Sequence, residues 1–454
     1  MKLSSAFALI VVVACMTFTE AHGSVPAQNV SSSTSLLADK AFELTDEAEV
    51  GLEVIARSRG ASWAKRGAEA AALTITVDGV YSSDLILWAG DEPFTYRAHL
   101  GRLSPGKHTV ALRLNKLLSA SGVTGAGQIE IANLRAFPAA HSRAPNATSA
   151  DIVHSLALSH SPVLYARANT IGRFTDAPLL MYYEATREGE RDVRVRYTVV
   201  FSHEDGGTPT AALMARWGRA TDIEWVYEFL ARDGALVEER YQGVEHEIKM
   251  FIGGRTLGAH PLLAVASDNN NFTDLACSAV RYALLPVHTQ FDGASREKVM
   301  DEVPWTYRIM AEELARERRL SAAPSDEHTI ADPREYLYIE AHAEQTGTAL
   351  SLDTASSNQI YSSDNGDARL RVDRSGYFRV AVRLPSRNLF GSLNHLVVRC
   401  HATTKPADAR FAKNVRLTKV FTLDENYVPR ELRFAEQPSA TLKPGEKITY
   451  RFSE

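Results

Sequence analysis

The densest run of chemistry-bearing side chains is Arg216-Trp217-Gly218-Arg219-Ala220-Thr221-Asp222-Ile223-Glu224-Trp225-Val226-Tyr227-Glu228-Phe229. Read as a strand, it puts Ile223, Trp225, Tyr227 and Phe229 on one apolar face. Asp222, Glu224 and Glu228 fall on the other, with Val226 between them, because strand side chains alternate. Carboxylates two residues apart on one face sit about 6.5–7 Å apart at Cα. That spacing suits two metal ligands or a general acid–base pair; a solvated acidic face is the plainer alternative. Arg216 and Arg219 are placed to orient an anionic group. With Trp217 and Asn270 they form the substrate-binding candidates. His246 is read among apolar residues of a strand over 244–250, where a hydrogen-bonded core histidine competes with a ligand. His260 opens an apolar strand, and Asn269-Asn270-Asn271 and Asp274 follow its end, where site loops tend to sit. His203-Glu204-Asp205-Gly206-Gly207-Thr208 is an acidic turn, with glycines for positive φ. Together, His160, His203, Asp205, Asp222, Glu224, His246, His260 and Asn270 supply the chemistry of one oxygen/nitrogen metal site or a general acid–base cleft. The catalytic candidates are Asp222, Glu224, His246 and His260. The cofactor is unknown; a divalent metal fits the donor types, and its ligands stay open.

No His-Glu-x-x-His, Gly-x-Ser-x-Gly, P-loop or Gly-x-Gly-x-x-Gly pattern occurs. Asp222-Ile223-Glu224-Trp225 resembles the second half of the Glu-x-Asp-x-x-Glu or Glu-x-Asp-x-Glu signature of laminarinase-type glycoside hydrolases. The nucleophile's position is Ala220 here, so a two-carboxyl retaining mechanism through this motif is not implied. His160-Ser161-Pro162-Val163-Leu164 followed by Gly218-x-x-x-Asp222-Ile223-Glu224-Trp225 resembles the motif order of an uncharacterised vacuolar-sorting-type family. That family has a His-x-Pro opening and a later Gly-Asp-Trp-Glu-His. No histidine follows Glu224 here, and the resemblance implies no established chemistry.

The elements that must position these groups are mostly short strands. The chain has 454 residues, 45% hydrophobic and 23% charged. This length predicts two to four domains of ordinary soluble composition. Alternation at 73–77 and 109–114, an apolar run at 85–88, and the Asp78-Gly79 and Pro105-Gly106 turns predict an N-terminal β-sandwich over 46–140. A central β-rich domain over 151–322 holds strands at 193–201, 223–229, 244–251 and 262–266. It ends in a helix over 305–320, started by Pro304 and read as a surface helix. A C-terminal β-sandwich over 326–454 has strands at 336–341, 368–372, 377–384 and 396–400. The fold class is therefore mainly β and multi-domain, with β-sandwich modules flanking a larger central β-rich domain that carries one or two helices.

The N-terminus points to export. Lys2 precedes an apolar run from Ala6 to Ala14, the length of a signal-peptide core. Residues 1–23 are one reading of the signal. A lipoprotein signal ending at residue 14, with Cys15 as lipid anchor, is the other. Residues 24–45 read as a linker. No later stretch is long and apolar enough for a membrane helix. Only Cys277 and Cys400 remain beyond Cys15, and they read as separate thiols, with one disulfide as the alternative. Fifty basic and 55 acidic residues give a net charge of −5, which removes the electrostatic case for a nucleic-acid partner. The sandwich aromatics Trp63, Tyr81, Trp88, Phe94 and Tyr96 read as core more than as sugar platforms. The expectation is a secreted or cell-envelope, glycan-handling protein with a polysaccharide partner. Its central domain would hold a carboxylate/histidine acid–base or metal-assisted site. The alternative is a non-enzymatic envelope or adhesion protein, and the sequence does not decide whether the chain is an enzyme.

Overall fold

The computed structural model describes residues 34–141, 149–167, 174–204, 206–356, 359–404, 407 and 409–453. The signal segment, Cys15 and Asp205 lie outside the described residues. Strands make up 49% of the structure and helical residues 13%, so the chain is mainly β, as the turn spacing predicts.

The N-terminal sandwich is built from β1 (Thr34–Leu44), β2 (Ala48–Ser58), β3 (Ala72–Val77), β4 (Val80–Ile86), β5 (Phe94–Leu103), β6 (Gly106–Asn115) and β7 (Ile129–His141). One sheet runs β1-β6-β3-β4 and the other β5-β2-β7. Strand β1 corrects the linker reading of 24–45. It pairs antiparallel with β6 from Thr34 opposite Asn115 to Leu44 opposite Gly106. Its side chains are mostly half-buried or exposed, as on a sheet edge, and so lack clean alternation. Asp78 and Gly79 both adopt positive φ, the tight hairpin their types predict. Trp63, Trp88 and Tyr96 are buried, which decides for core over sugar platform at those positions.

The central domain opens with α1 (Ser149–Ser159), β8 (Val163–Tyr165), β9 (Pro178–Arg187) and β10 (Asp192–Phe201). It continues with α2 (Thr210–Trp217), β11 (Ile223–Arg232), β12 (Ala235–Gln242), β13 (Ile248–Met250), β14 (Arg255–Thr256), β15 (His260–Val265), β16 (Phe272–Thr273), β17 (Arg281–Tyr282) and β18 (Val287–His288). A six-stranded sheet has the order β13-β12-β11-β10-β9-β18. A smaller sheet runs β14-β15-β8-β17, with β8 and β15 parallel. The helices α3 (Lys298–Glu302) and α4 (Trp305–Arg316) close the domain.

Three expectations change here. Arg216 and Trp217 end helix α2 instead of starting a strand. The uniform faces predicted for 222–229 are broken by a bulge at Val226. Tyr227 stands opposite Tyr197 while Trp225 stands opposite Thr198, so the extra residue inverts the alternation. Glu228 therefore leaves the face of Asp222 and Glu224 and joins Trp225, both meeting Arg196. The third change is α4. Its residues Tyr307, Ile309, Met310, Glu313 and Leu314 are all buried, so it is an interior helix. Ile309 packs in the core shared with the N-terminal sandwich, and Tyr307, Met310 and Leu314 in the core shared with the C-terminal one. Its inward polar group is satisfied: Glu313 accepts from Trp63 Nε1 at 2.9 Å and pairs with Arg316 at 3.2 Å. An amphipathic stripe cannot announce such a helix, because polar partners on other domains complete its buried surface.

The C-terminal sandwich has two sheets, of five and four strands, between Tyr336 and Arg451. Residues 368–370 form a 3-10 turn where a strand was predicted. Arg379, fully buried, ties this unit to the central domain through Asp301 at 2.8 Å, and within the unit it pairs with Glu340 at 3.0 Å. Cys277 and Cys400 are separate thiols.

The bulge also sets a stability prediction. Glu228 is 1% exposed and accepts from Arg194 at 2.8 Å, Arg196 at 2.6 Å and Arg240 at 2.7 Å. Glu228→Ala leaves three cations without their shared anion. It is expected to cost about 2–3 kcal/mol in urea unfolding, below the fully buried range because the arginines reach solvent. An unchanged midpoint would show that solvent already screens the cluster.

Candidate active site

A cavity of about 360 Å³ opens at the N-terminal end of β11. It is walled by the segment after β10, the end of α2, the end of β12 and the turn beyond it, the loop after β15 and the approach to α3. Glu204 enters from the first. The backbone N–H of Thr208 donates to its Oε1 at 2.8 Å. Gly207 lies at φ +90°, and a Cβ there would come within 2.7 Å of Glu204 Oε1 and 2.6 Å of Asn269 Oδ1. Only glycine allows that approach. Gly218 ends α2 at φ +64°, its N–H bonding to the Met214 carbonyl, and turns the chain into Arg219–Asp222. A Cβ there would meet Arg379 Cγ at 2.7 Å, so the C-terminal sandwich presses directly on this turn.

Asp222 precedes β11, and its carbonyl accepts from the Phe201 N–H at 2.8 Å. Its Oδ2 accepts from Asn270 Nδ2 at 3.1 Å. Glu224 accepts from the side-chain amide of Gln242. The same amide lies 2.8 Å from His246 Nδ1, which is 3.8 Å from Glu224 Oε2. Arg219 is 2% exposed, lines the cavity and pairs with Glu297 at 3.1 Å.

Three buried carboxylates thus share one small cavity. Burial pushes Glu204 up to about 8, with the charge of Asp222 adding to the shift. Burial likewise pushes Asp222 up to about 7, with Glu224 adding. Arg219 and Arg296 oppose both shifts. The Glu204–Asp222 pair therefore retains a proton near neutral pH, the condition for a carboxylic general acid. Glu224, held by an amide donor, is placed as the complementary acceptor. His246 stands at the mouth, half-exposed.

Of the eight candidate residues, Asp222, Glu224, His246, Arg219 and Trp217 line this cavity. Asn270 supports it from behind through Asp222. His260 does not belong to it: fully buried, it bonds to Ser161 and lies 3.2 Å from Glu49 at the seam with the N-terminal sandwich. Arg216 pairs with Asp373 of the C-terminal sandwich at 3.0 Å and lies over the Trp217 ring at 4.8 Å. His246 is not on a strand. It ends a 3-10 turn with φ +60°, and the predicted apolar face beside it, Val244, Ile248 and Met250, is exposed. The sequence reading passed over Glu204 as a site residue, although its Gly-Gly turn marked a tight loop. Gln242 and Arg296 carry no local signal; only the fold brings them in.

No protein-family model and no curated protein matches the chain. Among solved structures, the C-terminal domain of EclA, a sugar-binding protein, aligns at 17% identity over 27% of this chain and 84% of its own, with a TM-score of 0.18. A ruminal GH26 endo-beta-1,4-mannanase aligns at 12% identity over 29% of this chain and 26% of its own, with a TM-score of 0.17. Similarities this slight carry no argument about what the chain does.

Proposed function

We propose that the chain is a glycan-handling protein whose central domain cleaves its ligand by carboxylate acid–base chemistry. One observation carries the reading: Glu204, Asp222 and Glu224 converge in a single cavity, with burial holding a proton on the first two. In glycosidic hydrolysis the protonated pair would donate to the leaving oxygen as the carbon–oxygen bond breaks. Glu224 would take a proton from the attacking water, and the two products share the elements of that water. Arg219, Arg296, Gln242 and Asn269 offer fixed donors to hydroxyl or carboxylate groups of a sugar, and Trp217 and Trp225 supply aromatic surface. The apolar run at 6–14 supports reading the chain as a secreted or envelope-attached protein.

The test is release of reducing ends from neutral and acidic polysaccharides by the purified chain, with and without chelator. Release of defined products supports the reading, and binding without turnover across the panel overturns it. That second result is what a non-enzymatic adhesion module predicts. The exposed apolar residues Ile248, Met250, Ile252 and Leu275 favour that rival, since they offer a docking surface.

A further inference from the structure

A second cluster lies apart from the cavity, where the N-terminal sandwich meets the central domain. Glu49 on β2, His99 on β5 and His260 at the start of β15 are each no more than 2% exposed. Glu49 Oε2 lies 3.2 Å from His99 Nε2 and 3.2 Å from His260 Nε2, and the two rings stand at 89° to each other. We propose that Glu49, His99 and His260 form a binding site for a divalent transition metal of the zinc class, joining the two domains.

The hydrogen bonds on the far side of each ring carry the argument. His260 Nδ1 is 2.8 Å from the Ser161 carbonyl, which can only accept, so this nitrogen bears the proton. In the neutral ring, Nε2 then presents its lone pair to Glu49. His99 Nδ1 is 3.0 Å from the Ser161 hydroxyl, whose own proton is directed to the Leu158 carbonyl at 3.2 Å. That arrangement makes His99 Nδ1 a donor too, and His99 Nε2 makes no hydrogen bond despite its closeness to Glu49. Arg102 donates to Glu49 Oε1 at 3.2 Å and leaves Oε2 for the cluster.

Three acceptor atoms therefore face one another in a buried seam. A proton on one ring relieves one contact; a divalent cation relieves all of them. Zinc bonds of about 2.0–2.1 Å at tetrahedral angles separate neighbouring ligand atoms by about 3.3 Å. Both distances to Glu49 Oε2 fit that edge. Two imidazoles and one carboxylate are a donor set zinc accepts, with a solvent oxygen completing the shell. Ser161 fixes both tautomers through its carbonyl and hydroxyl, as outer partners of ligating histidines do. Because Glu49 and His99 belong to one domain and His260 to the other, the ion would hold the seam closed. This inference is independent of the glycan reading, and its test uses no substrate.

The full chain, untagged and stripped by chelator, is titrated with Zn²⁺ and with Co²⁺. One equivalent of Zn²⁺ is expected to bind and to raise Tm by about 3–6 °C at saturation. Co²⁺ should give the visible bands of a low-coordinate imidazole site. His260→Gln should lose that equivalent, and Asp222→Asn should keep it. Absence of stoichiometric uptake by the wild-type chain, or full uptake by folded His260→Gln, would overturn the assignment. If His260→Gln does not fold, the wild-type Co²⁺ spectrum decides, and an aquo-like octahedral spectrum refutes the site.

Discussion

Asp222→Asn is expected to leave the chain folded and to lower turnover of its polysaccharide by a factor of roughly 10²–10⁴, the usual contribution of a positioned acid or base. The substitution is nearly isosteric. The asparagine oxygen can still accept from Asn270 Nδ2, which now bonds Asp222 Oδ2 at 3.1 Å. Near neutral pH it replaces a carboxyl that burial keeps about half protonated, so only part of a charge is removed. What disappears is the transferable proton and the coupling to Glu204. Glu204→Gln should act in the same direction, and the two losses should fall short of multiplying, since the residues share one proton-holding unit. Steady-state rates from pH 5 to 9 check this directly. The wild-type rate should fall on the alkaline side as the pair ionises around pH 7–8. Turnover in Asp222→Asn within a few fold of wild type would remove the pair from the chemistry and return it to structure.

How far the sequence could lead depends on what each residue's role requires. Alternation and turn residues are local, and Asp78-Gly79 located its hairpin without help. Asp222 and Glu224 were legible as a pair because they lie two apart before the bulge. Glu228 was misplaced because one inserted residue, Val226, inverts every later side chain, and nothing in the local sequence announces it. His260 looked like a site residue for sound chemical reasons. Its partners Glu49 and His99 lie more than 150 residues away on another domain, so spacing could not reveal which cluster it joins. Glu204, Gln242 and Arg296 enter the cavity from three separate segments. Their value comes from the shared burial that raises the carboxyl pKa values, a property of the assembled space. Helix α4 makes the same point for the fold: Glu313 breaks the apolar stripe, and Trp63, Arg316 and the Asp176 N–H make that burial tolerable.

The same buried pair should leave a thermodynamic mark that needs no substrate. Asp222 and Glu204 titrate near 7 and 8 when folded, against ordinary values near 4 in the unfolded chain. Between about pH 4 and 8 the folded chain binds more protons than the unfolded one. Stability from these groups is then fully present below pH 4 and is lost as pH rises through 7 and 8. For Asp222 alone the shift corresponds to something on the order of 4 kcal/mol by the alkaline end, since the buried site must then hold the ionised form. The double variant Asp222→Asn, Glu204→Gln cannot ionise there. Its unfolding free energy should therefore exceed that of wild type at pH 9, and the advantage should shrink or reverse at pH 5. Urea unfolding of both chains across this range, in chelator so that metal does not contribute, gives the difference curve. Opposing titrations elsewhere are common to the two chains and cancel in the difference. Parallel curves would mean that solvent reaches the carboxyls and that neither holds its proton at neutral pH. A variant advantage that grows as pH rises from 5 to 9 would instead locate the proton on the pair before any ligand is known.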